Sequence, residues 1–124
     1  MDASKKVLII IPAYNEEENI EKVVDNLIRN FPQYDYIIVN DGSTDGTKMV
    51  CQRKRYEVLN LSINMGIGGA VQTGYCYARD NDYDIAVQID GDGQHDVGFL
   101  ENMIRYMEEE QADCVIGSRF MEKE

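Results

Sequence analysis

Three carboxylates and two glycines follow one apolar run of the sequence, and carboxylates in such a position can hold a metal ion. The run at residues 85–89 leads into Asp90, Asp92 and Asp96. Carboxylates this close repel one another unless a positive charge lies between them. Gly91 lets the backbone bend so that Asp90 and Asp92 can reach one site, and their oxygens suit Mg²⁺ or Mn²⁺. We therefore predict that this pair binds one of these ions, with a simple Asp-Gly turn as the alternative, and that Asp96 caps the next helix.

The same stretch also matches part of an EF-hand calcium loop. Counted from Asp90 as position one, Asp92 is third and Glu101 is twelfth. Such a loop needs glycine at position six, where this chain has His95, and a helix before it, where this chain has a strand-like run. We therefore reject a calcium loop. His95 is either a metal ligand or a polar turn residue that contacts phosphate.

Apolar runs that alternate with helical patterns position these residues. Short β-branched runs are typical of strands buried on both faces, whereas apolar residues three and four apart indicate helices. The predicted strands are residues 7–11, 36–39, 57–61, 85–89 and 114–116, with helical patterns between them. This order predicts one domain of the α/β class, a Rossmann-like, mainly parallel sheet flanked by helices.

Two helices carry more specific predictions. Asn15 and Glu18 have the spacing of a capping box, which predicts that Asn15 caps the first helix. Ala70, Gly74 and Ala78 lie four apart on the third helix. A stripe of small residues lets a helix lie close to a sheet, so a structural role explains them.

The turns after three predicted strands should form one crevice, because ligands of parallel sheets bind beyond the carboxyl ends of the strands. These turns are residues 12–15, 41–45 and 90–96. Asp41 can accept a hydrogen bond from a nucleotide base, and Glu16 can hold a ribose or a base edge. A capping or solvated side chain is the alternative for each.

The glycine-rich stretch at residues 66–69 is weaker as a signal. It lacks the third glycine of a dinucleotide fingerprint and the Gly-Lys-Ser/Thr of a P-loop. It still permits a close approach of the backbone to a nucleotide or diphosphate.

Composition excludes several classes of protein. Acidic residues outnumber basic ones by 23 to 12, giving a net charge of -11, and this argues against a nucleic-acid partner. The three cysteines form no C-x-x-C pair, which argues against a disulfide framework or a zinc site and favours a reducing cytoplasm. The apolar run at residues 7–11 is too short for a secretory signal or for a membrane span of about 20 residues. We expect a cytoplasmic protein, at most peripheral to a membrane.

Taken together, five segments resemble the family 2 glycosyltransferases, in the same order and with the same spacing. The segments are IPAYNE at residues 11–16, VNDGSTD at 39–45, Asn-Met-Gly at 64–66 with Gly-Ala at 69–70, DGDGQH at 90–95 and IGSRF at 116–120. The acidic turn, which contains a DXD motif, and the Gly-Ser-Arg-Phe segment look most like those of the dolichyl- or polyprenyl-phosphate sugar transferases.

The resemblance implies the nucleotide-binding half of a GT-A fold and a role for each matching residue. Residues implied to bind the nucleotide are Pro12, Ala13, Tyr14, Glu16, Asp41, Gly69, Asp90 and Gly91. Asp90 and Asp92 would ligate Mg²⁺ or Mn²⁺, and Gln94 would lie beside the sugar or diphosphate. Arg119 would face the diphosphate or an acceptor phosphate, which makes Asp92 and Arg119 the implied catalytic residues.

The implied reaction transfers a sugar from a UDP- or GDP-linked donor to a polyprenyl phosphate or glycan acceptor. The metal and Arg119 would stabilise charge on the leaving nucleoside diphosphate. An acceptor phosphate is already ionised at neutral pH, whereas a hydroxyl acceptor would need a general base.

The chain departs from the family because catalytic domains there continue well past the Gly-Ser-Arg-Phe segment. We therefore expect residues 1–124 to be a truncated, nucleotide-sugar-binding part that lacks the acceptor half and membrane anchors. The alternative function is a catalytically inactive module that binds a nucleoside diphosphate and a metal. The strand at residues 114–116 would then expose an edge, which predicts self-association into a homo-oligomer.

Overall fold

The described part of the chain is a parallel sheet with helices on both faces. The structure, a computed structural model, describes residues 6–89. The elements are, in chain order, β1 (Val7–Ala13), α1 (Ile20–Asn30), β2 (Asp35–Asp41), α2 (Thr47–Lys54), β3 (Val58–Leu61), α3 (Gly66–Asp80) and β4 (Ile85–Gln88). The strands lie in the order β3-β2-β1-β4, and each neighbouring pair is parallel. The predicted α/β fold is confirmed, while the predicted strand at residues 114–116 lies outside the described residues.

β1 is buried along its whole length because it lies inside the sheet and is covered on both faces. Ile9 and Ile11 pack in a cluster that includes Val24 of α1 and Cys51 of α2. Their neighbours Leu8 and Ile10 belong to a second cluster, with α3. A strand with two buried faces needs apolar residues at successive positions, which is why its run reads as continuous.

α3 lies very close to the sheet at the stripe of small residues. Ala70 and Ala78 are buried, and a Cβ added to Gly74 would lie 2.4 Å from Ile10 Cγ2. The predicted structural role of this stripe is confirmed. α3 begins at Gly66, so the glycine-rich stretch at residues 66–69 forms its first turn. No helix between residues 6 and 89 is long and apolar enough to cross a bilayer.

The predicted cap of the first helix is wrong. α1 starts at Ile20, and its N-cap residue is Asn19, whose side chain makes no capping bond. Asn15 instead has a left-handed backbone, with φ of 54°. Its side-chain oxygen accepts from the backbone N–H groups of Thr44 and Asp45. Asn15 and Glu18 have the spacing of a capping box, but Asn15 Oδ1 accepts from N–H groups of the turn after β2 and not from those of α1.

Candidate functional site

The first two of the three turns predicted to form the crevice lie side by side. β1 and β2 are paired in parallel up to Ala13↔Asn40, so their carboxyl ends meet at one edge of the sheet. Asn15 N donates to Ser43 Oγ at 3.0 Å. The predicted convergence of residues 12–15 and 41–45 is therefore confirmed. The third turn, at residues 90–96, lies outside the described residues.

A network of hydrogen bonds, which we call the turn clasp, joins residues 15–17 to residues 43–47. Asn15 Oδ1 accepts from Thr44 N at 2.8 Å and from Asp45 N at 3.2 Å. Glu17 N donates to Asp45 Oδ2 at 3.3 Å, and Gly46 N donates to Glu17 Oε1 at 2.9 Å. Because each side of the clasp accepts from the other, the two turns hold each other in place.

Thr47 lies at the centre of the clasp and is fully buried. Its hydroxyl accepts from Glu16 N at 2.9 Å and donates to Asp45 Oδ1 at 2.5 Å. Burial opposes ionisation of Asp45, but hydrogen bonds from the Thr47 hydroxyl and from backbone N–H groups outweigh it and lower the pKa of Asp45. Asp45 is therefore ionised, and its carboxylate stabilises the turn by accepting these hydrogen bonds.

Asp41 ends β2 and anchors the start of α3. Only 3% of the residue is exposed, and Asp41 Oδ1 accepts from Met65 N at 2.7 Å. Asn64 Nδ2 donates to the Asp41 carbonyl at 3.1 Å. Gly42 has φ of 68°, and a Cβ there would lie 2.6 Å from Asn64 N, so this approach requires glycine. One oxygen of the Asp41 carboxylate is thus already engaged.

A row of polar side chains crosses the same edge towards β3. Asn40 is 3% exposed and directly follows the buried apolar run at residues 37–39 of β2. Its Nδ2 donates to Asn60 Oδ1 at 2.9 Å, and its Oδ1 accepts from Ser43 Oγ at 2.5 Å. Sequence reasoning did not single out Asn40 or Asn60. The signal that could have found the first is an amide at the buried end of an apolar strand, which must find partners.

The predicted nucleotide-binding residues within residues 6–89 gather at this edge. Pro12 and Ala13 are buried at the end of β1, whereas Tyr14 is 46% exposed. Glu16 is half-buried, and its Oε1 accepts from Asn19 Nδ2 at 3.2 Å. This contact partly supports the alternative for Glu16, in which its side chain has a capping role. An exposed ring, a half-buried carboxylate and Asp41 together can bind a planar base with N–H groups and its ribose.

Gly69 lies in the first turn of α3, where a Cβ would lie 2.8 Å from Met65 Cβ. Met65 in turn donates to Asp41. This helix start is therefore tied to the end of β2, next to the other candidate residues.

The predicted metal and catalytic residues lie outside the described residues. They are Asp90, Gly91, Asp92, Gln94 and Arg119. Between residues 6 and 89 no group of three or more His, Cys, Asp or Glu could hold a metal ion. β4 pairs with β1 up to Ile10↔Gln88, and Ile89 N still donates to Ile10 O at 3.0 Å. Up to its last described residue, the chain therefore runs parallel to β1 towards the carboxyl edge of the sheet.

Comparison with known proteins agrees with the resemblance. A family model described as glycosyl transferase family 2 matches residues 8–124. The chain is 31% identical to polyprenol monophosphomannose synthase of Mycolicibacterium smegmatis, over 95% of this chain and 46% of that protein. It is 35% identical to UDP-N-acetylglucosamine–dolichyl-phosphate N-acetylglucosaminyltransferase of Methanococcus voltae, over 94% and 53%. The chain therefore spans about half the length of these two relatives.

A solved structure shares the fold. It is glucosyl-3-phosphoglycerate synthase from Mycobacterium tuberculosis in complex with Mn²⁺ and UDP-glucose, with a TM-score of 0.60 and 26% identity. The match covers 73% of this chain and 34% of that one. The four-stranded parallel sheet and its helices are thus those of the GT-A glycosyltransferases.

Proposed function

Because the chain belongs to glycosyl transferase family 2, we propose that it binds a nucleotide-sugar donor and takes part in transferring the sugar to a polyprenyl phosphate acceptor. The observation that carries the proposal is the turn clasp. It brings Tyr14 and Glu16 to the edge of the sheet at which Asp41 ends β2. The names of two relatives contain polyprenol or dolichyl-phosphate. These names support a polyprenyl phosphate acceptor over a glycan.

The engaged oxygen of Asp41 favours a uracil base over guanine. Uracil has one ring N–H donor between two carbonyls, whereas guanine pairs best with a carboxylate through two parallel donors. Asp41 Oδ1 already accepts from Met65 N, and the residue is almost fully buried. A carboxylate with one oxygen already engaged matches the single donor of uracil, because a second guanine donor would be left without a partner. We therefore propose a UDP-linked donor, as in the complex of the solved relative.

The negative charge of the diphosphate needs a positive partner, and a cation bound at the acidic turn would provide it. We propose that Asp90 and Asp92 hold Mn²⁺ or Mg²⁺, with Mn²⁺ tested first because the solved relative contains it. When bound, such an ion neutralises charge on the leaving diphosphate. Gln94 would lie beside the sugar, and Arg119 would face the diphosphate or the acceptor phosphate. A phosphate acceptor is ionised at neutral pH, so this chain would need no general base.

A polyprenyl phosphate resides in a membrane, and the donor is a cytoplasmic metabolite. We therefore propose a cytoplasmic protein that works at the membrane surface. Self-association through a strand edge remains part of the proposal, and light scattering at several concentrations tests it. A monomer at every concentration would contradict it.

Calorimetry with UDP and GDP, each with and without Mn²⁺, tests the donor site. We expect UDP to bind about tenfold more tightly than GDP, the ratio that corresponds to one hydrogen bond of about 1.4 kcal/mol. Asp92→Ala should remove the part of the affinity that depends on Mn²⁺. Equal affinity for both nucleotides would contradict the uracil assignment, and undiminished metal dependence would contradict Asp92 as a ligand.

A second candidate is a catalytically inactive module that binds a nucleoside diphosphate and a metal. Release of UDP from a UDP-sugar in the presence of polyprenyl phosphate separates the two candidates. Turnover above that of Asp92→Ala identifies an enzyme. Binding without turnover identifies the module.

A further inference from the structure

Asn15 combines a rare backbone conformation with a side chain that bridges two turns. Its φ of 54° is left-handed, a region that asparagine tolerates better than most residues. Its Oδ1 accepts from two successive backbone N–H groups, those of Thr44 and Asp45. Its own N–H donates to Ser43 Oγ. One residue therefore makes contacts with three consecutive residues of the neighbouring turn.

The two neighbours of Asn15 along the chain are candidate donor-binding residues. Tyr14 precedes it and is exposed, and Glu16 follows it and is half-buried. The directions of both side chains depend on the backbone at Asn15. Asp41 lies at the end of β2, from which the chain continues into the residues that Asn15 holds.

We infer that Asn15 is a positioning residue that pre-forms the donor site by fixing Tyr14 and Glu16 relative to Asp41. This inference rests on the proposed function. Without the side-chain acceptor, residues 14–16 would sample several orientations, only some of which bind the donor. The apparent dissociation constant rises as the binding-competent fraction falls. A merely structural role would lower stability and leave affinity unchanged in the folded chain.

Two substitutions separate the acceptor from the backbone conformation. Asn15→Gly permits the left-handed backbone but removes the acceptor. Asn15→Asp keeps an oxygen at the same place and also tolerates this conformation. Asp82→Gly is the matched control, because Asp82 has φ of 62° in the turn between α3 and β4, at the opposite end of the sheet.

The affinity of the 124-residue chain for UDP with Mn²⁺ is measured by calorimetry, at 0.15 M salt so that the charge of Asn15→Asp is screened over about 8 Å. We expect Asn15→Gly to weaken binding by about tenfold, which corresponds to a competent fraction of about one tenth. Asn15→Asp should stay within about threefold of wild type, and Asp82→Gly should not change affinity. In an active preparation the loss should lie in KM, with kcat unchanged.

Amide hydrogen exchange at Thr44 and Asp45 gives a second readout that needs no nucleotide. Exchange should accelerate in Asn15→Gly and return towards wild type in Asn15→Asp. A wild-type chain that binds UDP, with Asn15→Gly binding equally well, overturns the positioning role alone. A wild-type chain without affinity for UDP overturns the proposed function, and unchanged exchange in Asn15→Gly then overturns the clasp contact as well.

Discussion

Asp41 Oδ1 accepts a hydrogen bond from Met65 N at 2.7 Å, across a separation of 24 residues. This contact ties the carboxyl end of β2 to the start of α3, which the Asn64 side chain also holds through the Asp41 carbonyl. One oxygen of the carboxylate therefore closes a turn, and we propose that the other accepts a hydrogen bond from the base of the donor nucleotide. Its burial and its geometry are set by the fold before any ligand arrives.

Asp41→Asn should separate these two tasks. The amide oxygen can still accept from Met65 N, so the melting temperature should change little. The amide nitrogen would then face the base and present a donor where uracil also has one, and we expect UDP affinity to fall by about tenfold or more. Calorimetry and thermal melting measure the two effects. Asp35→Asn, at the opposite end of β2, is the control and should leave UDP affinity unchanged. Equal UDP affinity in Asp41→Asn would mean that Asp41 acts only in the turn.

The close approach of α3 to the sheet gives a prediction about stability. Gly74→Ala would place a Cβ 2.4 Å from Ile10 Cγ2, and relieving that overlap should lower the free energy of unfolding by about 1–3 kcal/mol. Gly68→Ala is the matched control on the same helix, because a Cβ there meets nothing within 4 Å. It should raise the free energy of unfolding by about 0.5 kcal/mol. Urea denaturation measures both, and equal effects would show that α3 does not lie this close.

Two thiols of the described region should differ in reactivity. Cys51 of α2 is fully buried, and burial raises the pKa of its thiol. Cys76 of α3 is half-buried. Because the thiolate is the reactive species, iodoacetamide at pH 8 should modify Cys76 well before Cys51 in the folded chain. Peptide mass spectrometry follows both, and urea should abolish the difference. Equal rates without urea would show that the α2 face opens readily.

The strands could be predicted from the sequence because burial on both faces imposes a direct rule on residue type. β1 is apolar throughout, and β4 is apolar up to Gln88, since every position of both strands is buried. The role of the small residues of α3 could also be predicted, because residues four apart lie on the same face of a helix and this face packs closely against the sheet. Each of these rules relates the type of a residue to the helix or strand that contains it, so the sequence alone is enough to apply it.

The candidate site could be predicted only in part, because its contacts join residues far apart in sequence. Asn15 has the local pattern of a helix cap, but its partners lie 29 and 30 residues away. The engagement of Asp41 by Met65 was likewise invisible in the motif. The sequence located Tyr14, Glu16 and Asp41 at one edge, and tertiary hydrogen bonds decide which of their atoms are available to a ligand.

A buried tyrosine and a carboxylate outside the candidate site give the chain a pH-dependent contact. Tyr56 OH donates to Asp25 Oδ1 at 2.7 Å, and Lys54 Nζ lies 3.2 Å from Asp25 Oδ2. The hydrogen bond from Tyr56 is the largest cause that lowers the pKa of Asp25, and Lys54 adds to it. Since the folded pKa lies below the ordinary value of 3.8, the stabilisation is present above that value. It is lost as the pH falls through the folded pKa.

Tyr56→Phe should therefore lower the free energy of unfolding by about 1 kcal/mol at pH 7, a figure reduced because Asp25 is partly exposed to solvent. The difference from wild type should shrink as the pH falls below 3.8, the ordinary pKa of Asp25. Urea denaturation at several pH values between neutral and about pH 3 measures this dependence. Asp25→Asn is the control, because it has no carboxyl group to titrate and should lose the same acid-dependent part. A constant difference between Tyr56→Phe and wild type across the whole range would show that packing of the hydroxyl, and not its bond to the ionised carboxylate, stabilises this face of the sheet.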